Sequence, residues 1–127
     1  MDARIEEELA LLRQVYADLQ YRDRWVLIPN YPLPPGWSVS ASNVAFFIRQ
    51  GFPGVSPYGI YVPMGLRFNG AKPNNYDDNA GTQPPFGGTW GVFSWEAADW
   101  RPTANPRHGH NLINWVQGFA ERFREGL

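Results

Sequence analysis

The sequence predicts an α+β domain in which a helix at each end of the chain flanks an antiparallel meander of strands. One segment near each end carries apolar residues at helical spacing, and the middle of the chain carries short apolar runs bounded by Gly, Pro, Asn and Asp. At 127 residues the chain is long enough to bury a core of its own, and we expect a single domain over residues 1–127.

The first helix is predicted between Asp2 and Tyr21. Its apolar residues recur at steps of four, three, four and three, which places them on one helical face: Ile5, Leu9, Leu12, Tyr16 and Leu19. Asp2 is the expected N-cap, because its carboxylate can accept hydrogen bonds from the free N–H groups of the first turn.

The meander and the closing helix follow from the same kind of pattern. Strands are predicted at Trp25–Ile28, Trp37–Ser40, Val44–Ile48 and Tyr58–Val62, with a short extended segment at Thr89–Trp95. Residues 68–88, called the flap below, are rich in turn residues and predict a long loop. The last helix is predicted from Asn111, with an apolar face made by Leu112, Trp115, Val116, Phe119, Ala120 and Phe123.

Composition excludes several classes of function. The net charge of −1 gives no sign of the clustered basic residues that bind nucleic acid or an anionic membrane. The first residues are acidic rather than apolar and predict no signal peptide, so we expect a cytoplasmic protein. The chain contains no cysteine, which removes disulfides and thiol catalysis.

Lysine is rare in this chain. Of 11 basic residues only Lys72 is a lysine. A genome that favours arginine codons explains this bias, and so does a protein that works beside lysine-modifying enzymes and avoids its own modification.

The order of the motifs resembles the E2 ubiquitin-conjugating superfamily, which has the UBC fold. An apolar strand leads into Phe52-Pro53 and Ser56-Pro57, a second strand and the flap follow, and Trp100-Arg101-Pro102 comes after the extended segment. The family has a Tyr-Pro turn, a paired proline, a flap and a catalytic cysteine followed by Trp-x-Pro. The stretches 25–37 and 88–95 are similar to the prokaryotic E2 family E.

The resemblance implies a setting and a partner. Family members of this type are encoded beside ubiquitin-like proteins and E1-like enzymes. The family's catalytic cysteine would fall at Val92 or a neighbour, where this chain has none. We therefore expect a catalytically inactive, E2-like adaptor rather than an enzyme. It would bind a ubiquitin-like protein, or the E1 and E2 enzymes of the same operon, in a ubiquitination-like pathway such as antiviral defence. The missing catalytic cysteine has a second explanation, which is that a native cysteine at Val92 or Ser94 was replaced by engineering.

The candidate partner-binding residues surround the degenerate site and are expected to contribute shape and desolvation rather than bond making. They are Tyr76, Phe86, Trp90, Gly91, Val92, Phe93, Ser94 and His108. Loop aromatics beside glycines can grip an extended peptide, and they can equally belong to the core. Both explanations stay open at this point.

Three alternatives use other chemistry. Ser94 could replace the cysteine as nucleophile if His108 or His110 supplied the base. The loop aromatics could form a platform for a small ligand such as a sugar. The two histidines, with Asp77 or Asp78, could begin a metal site, but two ligands do not make one, and we expect no metal and no cofactor. The neighbouring acidic residues are expected to be solvated surface charges.

Overall fold

The computed structural model describes residues 2–127, which form two helices and a six-stranded antiparallel sheet. Along the chain the elements are α1 (Ala3–Arg13), β1 (Gln20–Arg22), β2 (Trp25–Pro32), β3 (Ala41–Phe47), β4 (Tyr58–Pro63), β5 (Tyr76–Asp77), β6 (Trp90–Phe93) and α2 (Leu112–Glu125). The strands lie in the order β1-β2-β3-β4-β6-β5. The predicted α+β class, with a helix near each end, is confirmed.

The first helix is shorter than predicted. Asp2 is the N-cap, and its carboxylate accepts from the N–H of Arg4 at 2.7 Å, but the helix ends at Arg13. The chain then forms β1, which pairs with the start of β2 through a turn at Asp23 and Arg24, both with positive φ. Turns over residues 14–19 and strand pairing from Gln20 onward replace the helical hydrogen bonds that the apolar spacing had predicted.

Three of the predicted strands also need correction. The strand predicted at Val44–Ile48 begins three residues earlier and ends one residue earlier, as β3. Strand β2 continues past Ile28 to Pro32, because the pairing with β3 is irregular between Ile28 and Tyr31 and this accommodates Pro29. The predicted strand Trp37–Ser40 is wrong, since Trp37 forms only an isolated bridge to Phe68. The predictions for β4 and β6 agree with the structure to within two residues at each end.

The flap is not wholly irregular. Tyr76 and Asp77 form β5, which pairs with Phe93 and Val92 at the edge of the sheet. Lys72 lies exposed in the preceding turn-rich segment. The rest of the flap crosses one face of the sheet and ends at β6.

Both helices cover a single face of the sheet, called the helix face below. Its large core joins alternate strand residues to α1 and α2, and its fully buried aromatic members are Phe46, Phe93, Phe119 and Phe123. The opposite face, called the outer face, holds a second buried cluster from the other strand positions. This division follows from the two-residue period of a strand.

A buried carboxylate joins the two helices. Asn111 is the N-cap of α2, and its side chain accepts from the N–H of Asn114 at 2.8 Å. Glu8 of α1 accepts from the free N–H of Leu112, the first residue of α2, at 2.7 Å. Its other oxygen accepts from Nε of Arg4 at 2.6 Å. Glu8 therefore supplies both a partner and a negative charge to the N-terminus of α2.

Candidate functional site

The outer face of the sheet is apolar, although no helix covers it. Its buried residues, in the order of the chain, are Trp25, Leu27, Ala45, Tyr61, Ala80 and Trp90, and the half-buried Phe47, Tyr58, Phe86 and Val92 pack against them. An antiparallel sheet with a solvated outer face usually alternates apolar and polar residues. The apolar character of this face indicates that something covers it, and the flap covers only part.

Hydrogen bonds fasten the flap over one half of the outer face. The Gln83 side chain accepts from the N–H of Trp90 at 2.7 Å and donates to the carbonyls of Ala80 and Trp90 at 2.8 and 3.0 Å. The indole N–H of Trp90 donates to Gly87 at 2.8 Å. These bonds hold the flap as an ordered cover.

An ion pair fixes the beginning of this cover. The Asp78 carboxylate accepts two hydrogen bonds from the Arg67 guanidinium, at 3.0 and 2.7 Å. These bonds, with one from the N–H of Gly65, hold the pKa of Asp78 well below its usual range. Asp78 thus stays ionised at neutral pH and ties the flap to the segment after β4.

The other half of the outer face forms a cleft of about 430 Å³, called the outer-face cleft below. It is lined by Trp25, Phe47, Arg49, Tyr58, Tyr61 and Thr82. The Trp25 ring centroid lies 5.0 Å from that of Phe47 and 4.9 Å from that of Tyr61, so packed aromatic rings form the floor. Thr82 places the edge of the flap at its border.

Arg49 gives this cleft a positive rim. Its guanidinium carbon lies 5.9 Å from the Tyr58 ring centroid, and its Nε and Nη2 donate to the carbonyl and hydroxyl of Ser56 at 2.9 and 3.1 Å. Its Nη1 is 3.3 Å from the Glu96 carboxylate. Burial, with the nearby Tyr58, raises the pKa of Tyr61, so that phenol stays neutral at neutral pH.

Three of the residues predicted to bind a partner lie on the outer face. Trp90 and Val92 belong to the cluster that the flap covers, and Phe86 is a flap residue packed against that cluster. Trp90 is only 3% exposed and is fixed through its backbone and its indole N–H. Removing its side chain would damage the fold as well as any binding surface, so Trp90 is a poor residue for a binding test.

Three other predicted residues lie on the helix face, beneath the sheet. Phe93 is fully buried, and its ring centroid lies 4.8 Å from that of Tyr76. Burial and the charge of Asp78 raise the pKa of Tyr76 to about 12. Gly91 provides the space that the Tyr76 ring occupies. The side chains of Tyr76 and Phe93 therefore belong to the core of the helix face. Together with Gly91 they present almost no side-chain surface to a partner.

The last two predicted residues, Ser94 and His108, are exposed, and they form separate hydrogen bonds. The Ser94 N–H donates to the carbonyl of Asn75 at 2.9 Å. His108 lies in the loop before α2 and bonds through its backbone to Asn105 and Thr103. Within residues 2–127 no hydrogen bond links the Ser94 hydroxyl to an imidazole.

Replacing Gly91 with Ala is expected to lower the free energy of unfolding by about 1–3 kcal/mol. A Cβ atom at this position would overlap the Tyr76 hydroxyl and lie 2.7 Å from the carbonyl oxygen of Asp77, so β5 would have to move. Urea denaturation measures the change. Gly81→Ala is the matched control in the flap, because a Cβ there meets no atom within 4 Å. Equal stability of the two variants would contradict the proposed crowding.

Sequence reasoning missed the residues that line the outer-face cleft. Phe47, Arg49, Tyr58 and Thr82 were not among the candidates, although a signal was present. The run Val44–Ile48 is apolar at every position, so it offers apolar side chains to both faces of the sheet. That pattern in an antiparallel strand indicates an outer face that is covered or binds a partner.

The fold and the cleft define a two-layer α+β domain with an aromatic surface on its uncovered sheet face. Comparison with protein-family models, with curated proteins and with solved structures found no match. Neither helix within residues 2–127 has the length and apolar character needed to cross a membrane. Over the same residues, no group of three or more acidic or histidine side chains is placed to hold a metal ion.

Proposed function

We propose that this protein is a catalytically inactive, E2-like adaptor that binds a ubiquitin-like protein of the same operon through its outer-face cleft. The observation that carries the proposal is an aromatic cleft on a sheet face that no helix covers. Interfaces concentrate their binding energy in clustered aromatic and arginine side chains of this kind. A role beside the E1 and E2 enzymes of the same pathway, for example in antiviral defence, belongs to the same proposal.

The shape and charge of the cleft suit an extended chain segment. In E2 relatives the groove under the flap receives the extended tail of the ubiquitin-like partner. Here Thr82 of the flap and the Trp25 and Tyr61 rings border the cleft, and Arg49 supplies a positive charge at the rim. A terminal carboxylate of the partner would complement that charge.

The finer fold assignment, to the UBC type, rests on the order of elements. A helix, a strand meander, a flap, a short strand and a closing helix follow one another as in that family. Val92, where the family's cysteine would fall, lies in the outer-face cluster beside Trp90. The absence of any cysteine favours an adaptor over a thioester-forming enzyme. The alternative Ser94 nucleophile gains no support, because no histidine is hydrogen bonded to its hydroxyl within residues 2–127.

Replacing Thr82 with Arg is expected to weaken binding of the ubiquitin-like protein by about tenfold or more, because a long charged side chain would fill the outer-face cleft. Thr82 is exposed, so the fold should tolerate the change. Isothermal titration calorimetry with the purified partner measures the dissociation constant. Thr89→Arg is the matched control, since Thr89 is exposed and lies outside the cleft.

Several outcomes would replace this proposal. Unchanged binding by Thr82→Arg would remove the outer-face cleft from the interface, and no binding by the unmodified protein would remove the adaptor function. A covalent adduct that survives thiol, breaks with hydroxylamine and disappears in Ser94→Ala would establish the enzyme alternative. A change in tryptophan fluorescence with small glycans, and none with the ubiquitin-like protein, would favour the sugar-binding alternative.

A further inference from the structure

A second cleft lies between α2 and the segment that follows β6. Its volume is about 540 Å³. Residues 95–100 form one wall and α2 forms the other, with Trp95, Trp100 and Trp115 among the lining residues. This tryptophan cleft shares no lining residue with the outer-face cleft. Neither the candidate residues from the sequence nor the proposed function accounts for it.

Packing fixes two of the indole rings. The Trp100 N–H donates to the carbonyl of Pro53 at 2.7 Å, and its ring stacks on His110 with centroids 5.5 Å apart. Trp115 packs edge-on against Phe46 and Phe119. Trp115 is only 4% exposed, yet its indole N–H has no hydrogen-bond partner within residues 2–127. The nitrogen atom of this group is itself inaccessible to solvent, so Trp115 keeps a buried donor without an acceptor.

The charge of the tryptophan cleft is negative. Glu96, Asp99 and Glu121 line it, and no lysine or arginine does so within the described residues. Glu96 and Asp99 pair with Arg49 and Arg101, but their side chains remain 59% and 74% exposed. Glu121 takes part in no ion pair formed by residues 2–127. Within residues 2–127 Glu121 is therefore the carboxylate of the cleft that no ion pair neutralises, and a cation would compete with Arg49 and Arg101 for the other two.

Gly118 is an independent indication that the tryptophan cleft is kept free of side chains. It lies in the middle of α2 and lines the cleft, and a Cβ atom there would meet nothing within 4 Å. Glycine is the least favourable residue inside a helix after proline, and alanine would fit here without a clash. Packing does not require Gly118, so its effect is to keep the helix wall of the cleft free of a side chain.

We propose that the tryptophan cleft binds a basic side chain, arginine or lysine, of an extended segment of a partner protein. Tryptophan faces attract cations more strongly than any other side-chain ring does, and Glu121 adds a complementary charge that no ion pair within residues 2–127 neutralises. The two clefts share no lining residue, although the Arg49–Glu96 ion pair joins their borders, so the basic segment and the tail proposed for the outer-face cleft occupy different sites.

The first test uses a fluorescein-labelled Ser-Gly-Arg-Gly-Arg-Gly-Ser peptide and the full chain, with fluorescence anisotropy as the measurement. The protein is expected to bind this peptide at least about tenfold more tightly than the same peptide with glutamine at both arginines. Glu121→Gln is expected to weaken binding about threefold or more and to reduce its dependence on salt. Absence of binding, or equal binding of the two peptides, would overturn the proposal.

Replacing Gly118 with Leu separates binding from folding. The variant is expected to lose about tenfold or more in peptide affinity, because the leucine side chain occupies the cleft. It should also melt about 2–4 °C higher than the unmodified protein, because leucine favours the helix over glycine. Gln117→Leu, one residue away and exposed outside the cleft, is the control and should bind normally. A Gly118→Leu variant that binds as tightly as the unmodified protein would refute the site.

A third comparison keeps the two proposals apart. Thr82→Arg, which blocks the outer-face cleft, should bind the basic peptide as tightly as the unmodified protein. Loss of peptide binding in Thr82→Arg, with normal binding in Gly118→Leu, would move the basic ligand to the outer face and overturn the proposal. The peptide needs no ubiquitin-like protein, so the proposed function and this inference can fail independently.

Discussion

Replacing Phe93 with Ala is expected to lower the free energy of unfolding by about 3–5 kcal/mol, enough to unfold most of a marginally stable domain. The ring is fully buried, and its centroid lies 6.0 Å from that of Trp37 and 5.9 Å from that of Phe123. The buried guanidinium of Arg122 lies over its face at 4.6 Å. The substitution would leave a cavity where the sheet meets α2.

Urea denaturation followed by tryptophan fluorescence measures this loss. Phe86→Ala is the matched control, because Phe86 is half-buried in the flap and belongs to the same set of residues predicted from the sequence. We expect that variant to lose about 1–2 kcal/mol. If Phe93→Ala were as stable as Phe86→Ala, the helix-face core described above would be incorrect at this position.

The second large effect is expected for Glu8→Ala, which should lower the free energy of unfolding by about 2–4 kcal/mol at neutral pH. Glu8 is 2% exposed, and its loss leaves the N–H of Leu112 without an acceptor and Arg4 without its carboxylate. Glu7→Ala is the control, since Glu7 is exposed on the same turn of α1 and should change stability by less than about 0.5 kcal/mol. Equal losses in both variants would contradict the assigned contacts.

The same residue determines a dependence of stability on pH. Burial raises the pKa of Glu8 above its ordinary value of 4.5, although the bonds from Leu112 and Arg4 act against this. The folded protein then binds the proton more tightly than the unfolded chain does, so this residue's contribution to stability falls as pH rises from 4.5 through the folded pKa. Glu8→Gln should remove that slope, and an unchanged profile of unfolding free energy against pH would contradict it.

Elements whose apolar spacing matches a single period were predictable from the sequence. The closing helix has a clear apolar face and an Asn cap, and both Asn111 and the face from Leu112 to Phe123 agree with the structure. Strands β4 and β6 are bounded by turn residues and were also found. In these segments local preference and tertiary packing point the same way.

The errors occur where long-range pairing overrides local preference. Tyr16 and Leu19 continue the helical spacing of α1 and still contact the core. The chain after them nevertheless forms β1, which makes a hairpin with β2. β5 is two residues long and exists only because β6 is beside it. No pattern within such a short segment distinguishes it from a loop.

The candidate site could be predicted only in part. The sequence pointed to the region around Trp90–Phe93, but strand alternation sends neighbouring side chains to opposite faces, so this segment divides between the outer face and the core. Which of Trp90 and Phe93 faces outward depends on the sheet register, which the sequence alone did not provide. The tryptophan cleft depends on where residues 95–100 lie against α2, and no local pattern in those residues predicts that contact.

The exposed position of Lys72 has a practical chemical consequence. As the only lysine, it offers the single ε-amino group of the chain, and it lines neither cleft. An amine-reactive dye or biotin can therefore modify only this side chain and the α-amino group. A reagent attached at Lys72 would immobilise the protein in one orientation with both clefts accessible. An isopeptide bond formed to a side-chain amine of this protein would have to be at the same residue.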